Sequence, residues 1–151
     1  MHHLALALAL MSGPNQVDLD GVEKSFDERL KRMMDSPLQL QDWTNGVYIP
    51  GYGLVFTARV ELVLTAGTSA FHPAVTQAEK EQTTQANQKR LPVLKQTMRD
   101  FLSSSREFGK LPSNESVTLS VKIFCKPGYP RTGLPDRVVM TMQNKQIREI
   151  D

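Results

Sequence analysis

A chain of 151 residues, 40% hydrophobic and 23% charged, has the makeup of one globular domain able to bury about two-thirds of its unfolded surface. Eighteen basic against sixteen acidic residues leave a net charge of +2, which argues against a polyanion partner such as nucleic acid on the total alone. The single cysteine, Cys125, excludes an intrachain disulfide and any multi-cysteine zinc site, compatible with the cytosol and equally with a bacterial envelope.

The chain opens on a short apolar run, Leu4 to Met11, followed by Ser12-Gly13-Pro14. The run is far shorter than the ~20 apolar residues that span a bilayer, so no membrane span is expected. Its Ala-x-Ala character resembles the end of a signal peptide, although only His2 and His3 stand where a basic n-region belongs. Two readings stand: an export signal clipped by a misplaced start codon, or a disordered apolar tail. Residues 1–14 lie outside the fold on either reading, and residues 15–151 form a single α+β domain.

Leu19, Val22, Phe26, Leu30 and Met33 recur at helical spacing and predict a first helix over 18–36. Asp20 and Glu23 offer a capping-box-like start, and Ser36-Pro37 a stop. Residues 39–45 read as a polar connector carrying Trp43. A short strand over 46–49 leads through Pro50-Gly51 into a long strand over 54–65. There Leu54, Phe56, Ala58, Val60, Leu62 and Leu64 fall on one side, and Val55, Thr57, Arg59, Glu61 and Val63 on the other. Two-residue type II turns splay hairpins, so the connection is expected to be wider or bulged.

Thr76 and Glu79 could cap a helix, but residues 77–90 show almost no apolar stripe and read as a solvated helix or a linker. Pro92 then suits the first turn of a second amphipathic helix through Leu94, Met98, Phe101 and Leu102. A third strand over 116–126 alternates through Val117, Leu119, Val121, Ile123 and Cys125. A Pro- and Gly-rich turn over 126–136 precedes a fourth strand over 137–143, and the last eight residues suggest a helical turn. The predicted architecture is a four-stranded, mainly antiparallel sheet with helices on one face, in the order α-β-β-α-β-β.

The motifs of known chemistry are sparse. No H-E-x-x-H or C-x-x-C spacing exists, and no metal or cofactor is expected. Cys125, on the apolar side of its strand, is expected to be a buried, inert thiol. Ser103-Ser104-Ser105 reads as a fraying helix end, and Gly51-x-Gly53 lacks the rest of a dinucleotide fingerprint. Two surface candidates remain. Trp43, Tyr48 and Tyr52 could anchor a partner or cover the open end of the core. Lys122, Lys126, Arg131 and Arg137 could receive an anionic ligand or an acidic partner, or line the solvated side of two strands.

The stretch V-Y-I-P-G-Y-G-L-V-F, Val47 to Phe56, resembles a hairpin of uncharacterised bacterial exported proteins with the pattern Y-[IV]-P-G-[YF]-G-x-[VI]-F. The likeness extends loosely to Pro112–Thr118 and Met142–Lys145. It implies export and a shared fold, and brings no activity. The sequence thus points to a noncatalytic, exported or periplasmic domain that binds a ligand or another envelope protein. A cytoplasmic location, an enzyme whose residues meet only in three dimensions, and a purely structural scaffold are the alternatives.

Overall fold

A computed structural model describes residues 17–33, 39–104, 108–109 and 111–150. The N-terminal run and the Ser36-Pro37 stop lie outside the described residues. Among the described residues two helices and five strands follow in the order α1 (Leu19–Arg32), β1 (Gln39–Ile49), β2 (Gly53–Glu61), α2 (Gln77–Ser103), β3 (Ser116–Ile123), β4 (Arg137–Gln143) and β5 (Gln146–Ile150). The strands lie side by side in sequence order.

The sheet corrects the predicted one twice. It has five strands, because the tail expected to turn helically is β5, paired antiparallel to β4. Asn144 and Lys145 both take positive φ, 51° and 63°, which closes a tight hairpin between them. It is also mixed: β2 and β3 run parallel, while β1–β2 and β3–β4 are antiparallel. A parallel neighbour needs a long crossover, and α2 supplies it.

The residues expected as a polar connector are instead the first half of β1. Two register shifts, between Leu40 and Asp42 and between Asp42 and Asn45, break the alternation that would reveal a strand. Carboxylates on α1 hold this irregular stretch. Asp27 Oδ1 accepts from the Thr44 backbone N–H at 2.9 Å, and Glu23 Oε1 from the Gly46 N–H at 2.7 Å.

Asp18, rather than Asp20, caps α1, its side chain accepting from the Gly21 N–H at 3.0 Å. Helix α2 is continuous through Pro92, so no break separates a linker from a second helix. Its first half carries no apolar stripe because its inward residues are polar: Thr83 and Asn87 are buried, and Arg90 donates to the Leu62 carbonyl. The Thr76–Glu79 capping box forms in full. An interior proline costs a helix roughly 3 kcal/mol, and these contacts act on the helix in the opposite direction.

One face of the sheet meets both helices. Leu54, Phe56, Ala58 and Val60 of β2 and Val117, Leu119, Val121 and Ile123 of β3 are buried there against Phe26 and Leu30 of α1 and Leu94, Met98 and Phe101 of α2. Phe101 is central, 4.6 Å from Phe26 and edge-on to Phe56 and Phe108. Cys125 follows the end of β3 and is half-buried rather than buried; burial pushes its thiol pKa up.

The β1–β2 connection is a three-residue loop between paired Ile49 and Gly53. Pro50 and Gly51 (φ 80°) form a turn closed by Tyr52 N–H to the Ile49 carbonyl at 3.0 Å. Gly53, at φ 119°, runs so close to β3 that a Cβ would lie 1.9 Å from the Ser116 carbonyl oxygen. The Pro-Gly-x-Gly spacing therefore serves the turn and the central strand pairing together.

Candidate functional site

Side chains on a strand alternate between faces, so every residue directly opposite Arg59 shares its face. Register places Asp42, Arg59, Lys122 and Arg137 in one row across β1 to β4. Asn45, Thr57, Ser120 and Val139 form the next row, followed by Val47, Val55, Thr118, Thr141 and Arg148. This is the face away from the helices, and among the described residues no helix or further strand covers it, although Thr118 and Ser120 at its centre are buried.

The cationic row borders a shallow depression of about 400 Å³, with Trp43 and Asn45 on one side and Ser120 at its floor. Arg59 is held by two contacts, and one of its nitrogens is left over. Its guanidinium lies 4.6 Å from the Phe124 ring centroid, its Nη1 stands 3.7 Å from Asp42 Oδ2, and its Nε is buried without a hydrogen-bond partner. Arg137 Nη1 donates to Ser120 Oγ at 3.2 Å. Among the described residues, neither Lys122 nor Arg137 has a carboxylate within ion-pair distance.

The four cations proposed from sequence therefore divide. Lys122 and Arg137 are neighbours in the row. Lys126 instead sits 3.7 Å from the buried Glu61 and donates to the Thr65 carbonyl, closing the loop after β2. Arg131 folds back on its own turn, donating to the carbonyls of Ile123 at 3.1 Å and Pro135 at 3.0 Å. Arg59 was the cation missed. The four cations named from sequence all come from the C-terminal third of the chain and pass over it, although its place on the outward side of the long strand is readable.

The aromatics divide too. Tyr48 is bound into the hairpin: its hydroxyl donates to Glu115 Oε1 at 2.8 Å, and the same oxygen accepts from the Gly51 N–H at 3.0 Å. That hydrogen bond, with burial, pushes the Tyr48 phenol pKa up. Tyr52 leans onto the uncovered face, its hydroxyl 3.3 Å from Thr118 Oγ1, with half the residue in solvent. Trp43 is 66% exposed at the β1 edge, and the Lys31 ammonium lies 4.6 Å from its ring centroid. Only Trp43 stands beside the cationic row; the tyrosines mark the other end of the hairpin.

Among the described residues no three His, Cys, Asp or Glu side chains gather closely enough to hold a metal ion, and no helix is long and apolar enough to cross a membrane. Comparison of the chain with protein-family profiles, curated proteins and solved structures finds no match.

Proposed function

We propose that this chain is an exported domain of the bacterial envelope that works by noncovalent binding through the uncovered face of its sheet. The observation that carries this reading is the Arg59–Lys122–Arg137 row beside the exposed Trp43, on the face no described element covers. A face serving only as a solvated surface gains nothing from setting like charges opposite one another, which destabilises a sheet. Export draws on the Leu4–Met11 run and on the hairpin resemblance over Val47–Phe56. The competing reading as an enzyme draws on Glu115, whose Oε2 is buried without a partner. Its other oxygen, held by Tyr48 and Gly51, fits a clasp on the hairpin better than a reacting group.

The test is capture from a native envelope extract with the wild-type chain and two single variants of retained fold. Thr57→Glu sets a carboxylate beside the cationic row, and Gln85→Glu changes the exposed side of α2. Loss of the captured component with Thr57→Glu alone is the expected result; equal capture by all three would overturn the reading. Mass determination of the mature N-terminus tests export, and an intact Met1 in a cytosolic fraction would refute it.

A further inference from the structure

We propose that the Arg59–Lys122–Arg137 row is a binding site for a phosphate group, carried as a monoester or as the free ion. The proposal rests on the uncovered face being the binding surface. Adjacent strands stand about 4.8 Å apart, so three cations on three neighbouring strands fall within roughly 10 Å. Register sets Lys122 opposite both Arg59 and Arg137, and like charges so placed repel. Among the described residues Asp42 alone stands within ion-pair distance of the row, at its β1 end, and Glu61, two residues from Arg59 on the same face, is taken by Lys126. Three cations against one carboxylate leave two positive charges, and a phosphate monoester carries about −1.5 to −2 near neutral pH.

The geometry separates this ligand from an acidic peptide. Along each strand the same-face positions beside the row hold no cation, being Thr57 and the buried Glu61 on β2, Ser120 on β3 and Val139 on β4, so an extended chain lying with the strands meets a single cation. A chain laid across them meets cations about every 4.8 Å, whereas its own same-side carboxylates recur only about every 6.8 Å. One tetrahedral group avoids the mismatch. Guanidinium forks suit phosphate oxygens, and two are present beside a lysine. The Ser120 hydroxyl, already fixed by Arg137, adds a neutral donor at the floor.

Two sources share this chemistry: a soluble phosphate ester and a lipid headgroup ending in a phosphate. The full chain is titrated with inorganic phosphate and pyrophosphate against chloride at matched ionic strength, following Tm and the amide shifts of residues 57–59, 120–122 and 137–139. Saturating phosphate is expected to raise Tm by at least about 2 °C beyond chloride. Lys122→Gln and Arg137→Gln are each expected to weaken the response about tenfold, and Lys122→Arg to keep it. Phosphatidylcholine vesicles with and without phosphatidic acid separate the sources. Retention on phosphatidic acid, competed by free phosphate, identifies a lipid headgroup; response to free phosphate without retention identifies a soluble ester. Equal response to phosphate and chloride overturns the proposal, as does retention of a single-stranded oligonucleotide with no response to either phosphate. If Thr57→Glu still abolishes envelope capture in that event, only the phosphate assignment falls. If capture is also unaffected, the uncovered face falls with it.

Discussion

Asp27 on α1 and Thr44 on β1 are joined through a single oxygen: Asp27 Oδ1 accepts both the Thr44 backbone N–H at 2.9 Å and its hydroxyl at 2.5 Å. Both residues are buried. With Glu23 on Gly46, one helix turn earlier, the pair satisfies donors of an edge strand that bulges have pulled out of ladder geometry. Asp27→Ala leaves a buried N–H and hydroxyl unpaired and should lower unfolding free energy by about 2–3 kcal/mol in urea at pH 7. A loss below about 0.5 kcal/mol would show that water replaces the carboxylate without penalty.

The glycines of the hairpin should respond differently. Gly51 has nothing within 4 Å of an added Cβ, so Gly51→Ala meets only the positive-φ penalty, about 1 kcal/mol. Gly53→Ala adds a collision with the Ser116 backbone and should cost about 3 kcal/mol or more, or prevent folding. Equal losses in thermal unfolding would mean that β2 and β3 part easily at this point.

Lys122→Gln should stabilise the ligand-free protein. Removing the middle charge of the row relieves repulsion from both sides, an effect of about 0.5 kcal/mol at low salt. The gain should shrink in 0.5 M salt, where the Debye length is about 4 Å. Denaturant midpoints at the two salt concentrations check this, and a destabilised variant would contradict it.

Acid should loosen the start of α2. The Thr76 backbone N–H and hydroxyl hold the Glu79 carboxyl below its ordinary value, with His72 contributing. A carboxyl whose folded value is depressed contributes stability that is complete above its unfolded value near 4.5 and is lost as pH falls through the folded value. Amide exchange in the first turn of α2 should therefore lose protection below about pH 4 ahead of the α2 core turns around Met98, once intrinsic exchange rates are allowed for. In Glu79→Gln that difference should flatten.

The core was legible because it obeys a simple period. Leu54 to Val60 and Val117 to Ile123 alternate without interruption, and the apolar side of each is buried in the core. Elements lacking a clean period were missed. Bulges hide residues 39–45, and β5 is five residues of mixed character that gain meaning only beside β4, with Glu149 paired to Lys95 and Arg99 of α2. The first half of α2 buries Thr83 and Asn87, which a hydrophobic stripe cannot report. The candidate site was legible in parts. Lys122 and Arg137 were named, but their association with Arg59 is a matter of register, and a parallel pairing across a 27-residue helix leaves no local trace. Lys126 and Arg131 look equivalent to them in sequence and differ only in finding carbonyls and carboxylates nearby.

The parallel pairing of β2 with β3 also sets an order of events at the ribosome. Tyr52 and Ser116, which bond across it, are 64 residues apart in the chain. At ~5–20 residues per second, synthesis leaves the inner edge of β2 without its partner for roughly 3 to 13 seconds. For that interval the nascent hairpin holds β2 by its β1 edge alone, with the other edge bare.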